Sequence, residues 1–227
     1  MTTNVQYLED MPMDLIRIDT RKAYENIHKK ITRLELAPGS VLNDQALAEE
    51  IGLELKTVRE ALSLLAHDGL VTFSEQGMYV SEINLAELEQ LSELRLQLET
   101  FSARLAARRG SPDDLAVLEA LRSEQASIAP DEMERLFDLD HKFHQAIAAA
   151  SGNRHLARAL EQLFGQSQRL WYLVLPELDF LPEAVETHLS LLQAINARDG
   201  DQAASIMHAH VKGFYDKVKT ILSADDR

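Results

Sequence analysis

Apolar residues recur at steps of three and four along most of this chain, which is the spacing of amphipathic helices. The spacing predicts helices from about Arg21 to Leu34, over Asn43–Ile51 and over Lys56–His67. Leu70–Val80 differs, because two short β-prone runs flank a tight turn at Ser74–Gly77 and predict a hairpin. This order of elements is that of a winged helix-turn-helix, which places its second helix in the DNA major groove. Three small helices and a hairpin that bind no DNA would give the same pattern.

After Ser81 the strand pattern disappears and helical patterns repeat as far as Leu222. Short links between long amphipathic helices predict an antiparallel bundle. The predicted fold is therefore mainly α, with an N-terminal winged helix-turn-helix and its small β-hairpin wing at residues 20–83. An all-α antiparallel bundle follows at residues 84–227. Residues 1–19 show no clean period and are predicted to be a mobile arm.

Composition excludes several classes of protein. No stretch free of charged residues exceeds eleven residues, whereas a membrane span needs about 20 apolar residues. The N-terminus lacks the basic start and apolar core of a secretory signal, so we expect a cytoplasmic protein with no membrane partner. The absence of cysteine excludes disulfides, zinc fingers and thiol catalysis.

Charge does not support DNA binding. The net charge of the 227 residues is −14, and residues 20–83 hold seven Lys or Arg against ten Asp or Glu. A basic patch is the usual electrostatic signature of a protein that binds nucleic acid. A DNA-binding prediction for this chain must therefore rest on pattern rather than on charge.

Four polar residues interrupt apolar helix faces in the C-terminal half. Asp140 and His144 are four residues apart, one turn of a helix, while His188 and His210 each lie among apolar residues on later helices. Burying these groups unpaired would be costly. Three neutral nitrogens and one oxygen suit a divalent metal, with zinc our first expectation and nickel or manganese as alternatives. A histidine that is satisfied in the core or at an interface remains the other explanation for each of them.

The runs LAPGSVLNDQALAEEIG, Leu36–Gly52, and TVREALSLLAHDGLV, Thr57–Val71, resemble the N-terminal domain of the GntR family of bacterial transcription regulators. The resemblance covers about sixty residues. It implies a winged helix-turn-helix that binds operator DNA. The residues that it implies at the DNA are Lys56, Thr57, Arg59 and Gln76.

This chain departs from the family pattern at two places. Members usually carry Ser-Arg where this chain has Glu54-Leu55, and often Arg where it has Gln76. Neither Leu55 nor Gln76 supplies the charged fork of donors that arginine presents to guanine or phosphate. We therefore expect Lys56 and Arg59 to carry most of the DNA contact, with an unusual operator or weak binding.

The run DLDHKFHQAIAAASGN, residues 138–153, together with His188 and His210, is similar to the FCD-type effector domain of the FadR-like branch of this family. Many such domains hold a metal with an Asp-x3-His pair and two later histidines. The resemblance implies a small carboxylate effector that touches the metal. The candidates for contact with that effector are Arg95, which matches an arginine common in these domains, and, as weaker ones, Asn153 and Arg169.

The leading hypothesis is a homodimeric repressor, not an enzyme, whose operator affinity is set by a small acid at the metal site. Dimeric DNA readers pair with half-sites about 10 base pairs apart. A metallohydrolase that uses the same Asp and His residues to activate water is one alternative. A sensor that has lost DNA binding is another.

Overall fold

The computed structural model describes residues 17–83, 85–129, 132–174 and 181–225. The chain divides into two compact units: residues 1–84 together with Gly165–Tyr172, and the remainder. The predicted mobile arm, residues 1–19, lies outside the described residues for positions 1–16, and Ile18 already begins a helix. None of the helices in the described ranges has the length and apolar character needed to cross a bilayer.

The N-terminal unit contains the predicted helices and hairpin. Its elements are α1 (Ile18–Thr32), α2 (Asp44–Ile51), α3 (Leu55–His67), β1 (Val71–Ser74) and β2 (Gly77–Val80). The first helix spans Ile18–Thr32 instead of the predicted Arg21 to Leu34, and the chain turns at Leu34, whose φ is 60°. The predicted winged helix-turn-helix is confirmed.

Local sequence explains where α2 begins and ends. The Asn43 side chain accepts a hydrogen bond from the Ala46 N–H at 2.9 Å, which satisfies a donor at the start of the helix. Gly52 follows the helix with φ of 70°, a left-handed conformation that glycine adopts at little cost. Asn43 therefore marks the start of α2, and Gly52 allows the tight turn from α2 into α3.

A small apolar core holds the unit together. Helix α3 buries Val58, Leu62 and Leu65, and α1 contributes Ile27 and Ile31, all fully buried. The strands pair antiparallel, with Val71 opposite Val80 and Ser74 opposite Gly77. One face of α3 is therefore committed to packing, and the other faces solvent.

The second unit is the predicted helix bundle. Its helices are α4 (Leu85–Arg109), α5 (Pro112–Ser127), α6 (Met133–Ala150), α7 (Arg154–Val174), α8 (Leu181–Asn196) and α9 (Gly200–Asp225). Helix α4 packs along α9 and α6, and α8 packs against α9. The middle of α7 groups with the N-terminal unit. The helical pattern of the sequence predicts that α6 starts at Asp131, which lies outside the described residues; the described helix begins at Met133.

The inner face of α4 differs from the predicted one. The apolar stripe that the sequence predicts along this helix consists of Leu88, Leu91, Leu94, Leu98, Phe101 and Leu105. Leu88 and Leu105 are buried, but Leu94 is 49% exposed and Phe101 is 45% exposed. The buried face contains instead a charged pair, Arg95 and Glu99, followed by small residues such as Ala103. The two charges neutralise each other, and small side chains allow close helix packing. The middle of the predicted stripe is therefore not the buried face of α4.

Candidate metal centre and DNA-binding face

Helix α6 brings Asp140 and His144 into the interior of the bundle. Their four-residue spacing stacks the two side chains one turn apart on the face that also carries Phe143 and Ile147. Asp140 is 7% exposed and His144 is 4% exposed. Both polar groups are therefore withdrawn from solvent and need partners inside the protein.

Helices α8 and α9 direct His188 and His210 to the same point. One ligand atom from each of the four residues lies within 4.8 Å of the others. The Nε2 atom of His210 is 3.1 Å from that of His144 and 3.4 Å from that of His188. The Asp140 carboxylate is 3.4 Å from His188 Nε2 and 4.0 Å from His144 Nε2.

These separations fit a metal ion. Tetrahedral ligands on metal–nitrogen bonds of about 2.1 Å lie about 3.4 Å apart. Four of the distances between ligand atoms, 3.1 to 4.0 Å, bracket that value, and all four atoms lie within 4.8 Å of one another. The structure thus brings together all four residues that the sequence predicts as metal ligands.

Each histidine of the cluster also contacts an oxygen atom through its second ring nitrogen, Nδ1. Nδ1 of His144 is hydrogen-bonded to Glu99, that of His188 lies 3.1 Å from Gln125 Oε1, and that of His210 lies 2.7 Å from Thr187 Oγ1. Metal-binding histidines generally bond an oxygen through the second ring nitrogen, which fixes the tautomer and the ring orientation. Each imidazole is therefore oriented with Nε2 toward the common centre.

None of these three oxygen partners is predicted from the sequence. Glu99 is the one partner with a recognisable signal in the sequence, because it lies four residues after Arg95 on α4. A buried Arg–Glu pair at that spacing is a recognisable sign of a polar interior. Gln125 and Thr187 have no such sign in the sequence.

The electrostatics of the pocket suit a cation. Burial opposes ionisation of Glu99, but the charges of Arg95 and His144 outweigh it and lower the pKa of Glu99 to about 2. Burial raises the pKa of Asp140 and lowers the pKa of His188 well below its usual value, with His210 and His144 adding to the effect on His188. Burial also opposes protonation of His144, but the charge and hydrogen bond of Glu99 outweigh it and raise the pKa of His144, so a bound metal would have to displace a proton there. A neutral imidazole is the form of histidine that binds a metal.

Of the predicted effector-binding residues, Arg95 lies near the cluster, whereas Asn153 and Arg169 make their contacts elsewhere. Arg95 lies beside the cluster, where Nη2 donates to Glu99 Oε1 at 2.6 Å and the guanidinium covers the Phe164 ring at 4.3 Å. Asn153 accepts hydrogen bonds from backbone N–H groups at the start of α7. Arg169 belongs to the N-terminal unit, where it donates to the Ser81 carbonyl at 2.6 Å. Of the three, the structure brings Arg95 to the metal ligands.

Helix α5 supplies two further polar groups that the sequence analysis did not select. Arg122 and Gln125 are one turn apart and are 8% and 3% exposed. Arg122 pairs with Glu186 at 3.6 Å through Nη2, and Gln125 faces His188. In the described part of the chain, Arg122 Nε and Gln125 Nε2 are buried and have no hydrogen-bond acceptor.

The predicted DNA-binding residues lie on or near α3. Lys56 and Arg59 are exposed, with 78% and 63% of their side chains accessible. Gln76 is exposed at the turn between the strands. Thr57 is only 4% exposed and faces the core of the unit. The structure therefore places three of the four predicted residues where DNA can reach them.

Both exposed cations on α3 have acidic neighbours. Arg59 Nε donates to Asp44 Oδ2 at 2.6 Å. Lys56 Nζ is 3.9 Å from Glu60, which also accepts from Thr20 at 3.0 Å. DNA that approaches this face meets cations that are already partly compensated.

Comparison with known proteins finds one matching family for each part of the chain. The GntR family of bacterial regulatory proteins matches residues 19–80, and the FCD domain matches residues 90–213. The chain is 25% identical over 223 residues to the HTH-type transcriptional repressor RspR of Escherichia coli K12, which covers 97% of this chain and 95% of that protein.

A second regulator of the same strain is similar both in sequence and in fold. The HTH-type transcriptional regulator McbR is 30% identical over 195 residues, which are 79% of this chain and 85% of McbR. The solved structure of E. coli McbR/YncC matches with a TM-score of 0.78 at 23% identity, over 91% of this chain and all of that one. The chain belongs to the GntR family of bacterial regulatory proteins, with an FCD domain following its helix-turn-helix domain.

Proposed function

We propose that this protein is a homodimeric transcriptional repressor whose binding to operator DNA is controlled by a small carboxylate at a divalent metal. Asp140, His144, His188 and His210 hold the metal. The observation that carries this proposal is that four ligand atoms converge within 4.8 Å while each imidazole is oriented by an oxygen behind it.

The donor set favours zinc, with nickel or manganese as alternatives. Three imidazole nitrogens and one carboxylate oxygen bind all three ions, and zinc accepts a further ligand by expanding its coordination. An added carboxylate oxygen from the effector would take that position. The metal supplies a fixed positive charge that selects an acid.

Buried donors on α5 support an oxygen-rich effector. Arg122 Nε and Gln125 Nε2 are hydrogen-bond donors that lack acceptors in the described residues. A buried donor that is left unsatisfied costs about 1–3 kcal/mol. An oxygen acceptor on the effector would satisfy either donor that it reaches, whereas Arg95 is already neutralised by Glu99.

The exposed face of α4 supports the homodimer. Leu94 and Phe101 are about half exposed on this helix, and Leu91 and Leu98 beside them are half-buried. The four residues form one apolar stripe along the helix. Pairing this stripe with its copy in a second chain would withdraw it from water.

The metallohydrolase alternative uses the same four ligands but has less support. A hydrolase needs a general base near the metal-bound water. Glu99, the other buried carboxylate beside the cluster, is engaged by Arg95 and His144. Membership of a family of regulators also favours control of DNA binding over turnover.

Metal content tests the first half of the proposal. Purified wild-type protein should carry one divalent metal per chain, and His144→Ala and His188→Ala should each lose it. His208→Ala is the matched control, because His208 is exposed on the same helix as His210. One metal per chain in both site variants would rule the assignment out.

Operator selection tests the second half. Random duplexes are enriched on the metal-loaded protein at low salt, and the enriched duplex is then titrated in the presence of a panel of small mono-, di- and hydroxycarboxylic acids. At least one acid should change duplex affinity severalfold in the wild type and not in His188→Ala. If no duplex is enriched, with or without metal, the repressor proposal fails.

A further inference from the structure

The one arginine of α3, Arg59, is held by a carboxylate on another helix. Its Nε donates to Asp44 Oδ2 at 2.6 Å, a short charge-assisted hydrogen bond. The Arg59 side chain is 63% exposed, whereas that of Asp44 is 19% exposed. The exposed Arg59 guanidinium is thus hydrogen-bonded through Nε to the largely buried Asp44 carboxylate.

The anchor itself is rigid. Asp44 is the first residue of α2, next to the Asn43 side chain that caps the helix. Its backbone is fixed by the helix, and a carboxylate in the first turn is also favoured by the helix dipole. The position of the carboxylate is therefore set by the fold and not by Arg59.

The hydrogen bond determines which edge of Arg59 can be used on DNA. A guanidinium has five N–H donors in a planar fork, and the bond to Asp44 takes the one on Nε. The two Nη groups at the outer end remain as a pair of parallel donors. Such a pair matches the O6 and N7 acceptors of guanine in the major groove.

We propose that Asp44 is a positioning residue that fixes Arg59 for bidentate recognition of one guanine in each operator half-site. Asp44 acts through Arg59 rather than on a base. Ordering the long side chain before DNA arrives reduces the entropy lost on binding. The proposal rests on the proposed repressor function, because it requires an operator.

The neighbouring cation lacks this arrangement. Lys56 Nζ is 3.9 Å from Glu60, and its side chain is 78% exposed. Lysine is a flexible point charge without a planar fork. Lys56 is therefore suited to a phosphate, which carries no sequence information, and Arg59 is the residue suited to reading a base.

An alternative role for Asp44 is simple charge compensation. If Asp44 only cancelled the charge of Arg59, its removal would strengthen binding to every duplex by the same factor. If it positions Arg59, its removal weakens discrimination at a single base pair. The two roles are therefore separated by the pattern of base preference rather than by affinity.

The experiment uses the full-length protein and the duplex that the wild type enriches from a random pool. Affinity is measured by fluorescence anisotropy at fixed salt for this duplex and for its single-base-pair variants. Arg59→Ala identifies the base pair that Arg59 reads. Asp44→Ala should lose discrimination at that base pair by about tenfold or more, the scale of one bidentate contact, and should keep it elsewhere.

Glu54→Ala is the matched control. Glu54 is an exposed acid that directly precedes α3 and makes no capping hydrogen bond. This variant removes the same charge near the same helix, and it should raise affinity across the series while leaving base preference intact. Thermal unfolding of both variants establishes that the N-terminal unit is folded.

Three results would overturn the proposal. Asp44→Ala could keep wild-type discrimination at the base pair identified by Arg59→Ala, or Arg59→Ala could change no base preference at all. A protein carrying both Asp44→Ala and Arg59→Ala could also discriminate less than Arg59→Ala alone, which would give Asp44 a role independent of Arg59. Failure of the wild type to enrich any duplex is a separate result, which removes the repressor function and this proposal together.

Discussion

Glu99 and His144 are hydrogen-bonded in the interior of the bundle, between α4 and α6. The same carboxylate accepts from Arg95 at 2.6 Å, so one acid joins a buried cation to a predicted metal ligand. The bond occupies Nδ1 of His144 and leaves Nε2 directed at the cluster. Glu99 is therefore expected to control how well His144 binds the metal.

Substitution Glu99→Gln should weaken metal binding by about 10- to 100-fold, the range found when the partner of a metal-binding histidine is lost. The amide accepts a weaker hydrogen bond and does not raise the basicity of the imidazole. Competition with a chromophoric chelator measures the affinity. Glu93→Gln, on an exposed position of the same helix, should retain the wild-type value.

Loss of one member of a buried ion pair leaves the other charge uncompensated, at a cost of about 3–5 kcal/mol. The double variant Arg95→Met, Glu99→Gln removes both charges, so no uncompensated charge remains to destabilise the fold while metal binding is measured. It should bind metal as weakly as Glu99→Gln. Wild-type affinity in both variants would show that Glu99 has no influence on the metal.

The cluster of Asp140, His144, His188 and His210 could be predicted from sequence, but the oxygen groups that hydrogen-bond to its histidines could not. Asp140 and His144 are conspicuous because they interrupt an apolar helix face at a one-turn spacing. The oxygen partners of His144 and His188 lie 45 and 63 residues away along the chain. Only the packing of α4 and α5 against α6 and α8 brings them together, and no local pattern encodes that packing.

The buried face of α4 could not be predicted from sequence, because it too depends on how the helices pack. Its leucine stripe predicted the inner face, yet Leu94 and Phe101 are exposed while Arg95 and Glu99 are buried. Hydrophobicity alone does not distinguish a face that packs within the chain from a face that packs on another chain. An ion pair can be buried when its charges compensate each other.

The exposed stripe on α4 predicts a dimer interface. The double substitution Leu94→Glu, Phe101→Glu should convert the dimer to a monomer, because it would bury two charges without partners at the interface. Sedimentation equilibrium at micromolar protein gives the mass of the particle. Val117→Glu replaces another exposed apolar residue, 52% accessible on α5, and should leave the dimer intact. A dimer that survives the double substitution would place the interface elsewhere.

Leu55 stands where the family usually has arginine, and this predicts a gain of function. Leu55→Arg should tighten duplex binding at low salt and steepen the slope of log affinity against log salt by about 0.9, as one added phosphate contact does. Leu55→Gln controls for loss of the half-buried leucine without adding charge. An unchanged slope in Leu55→Arg would mean that this position does not approach the backbone of DNA.

His28 predicts how the stability of the N-terminal unit depends on pH. Burial lowers the pKa of His28 from its ordinary value of 6.5, and the charge of Asp68 only partly opposes the effect. As pH falls through 6.5, the unfolded chain takes up a proton at this residue before the folded chain does. The contribution of His28 to the free energy of unfolding must therefore decrease as pH falls over that interval. Stability decreases with falling pH wherever the unfolded state binds more protons than the folded state.

The substitution His28→Phe removes this titration and keeps an aromatic ring to stack on Tyr24, whose ring centroid is 5.6 Å away. Between pH 7.5 and pH 5.5, chosen to span the ordinary histidine pKa of about 6.5, the midpoint of thermal unfolding should fall less in His28→Phe than in the wild type. His67→Gln removes an exposed histidine from the end of α3 and should follow the wild-type curve. The histidines of the metal cluster titrate equally in all three proteins, so the difference between curves isolates His28. Parallel curves for the wild type and His28→Phe would mean that His28 takes up its proton as readily in the folded chain as in the unfolded one.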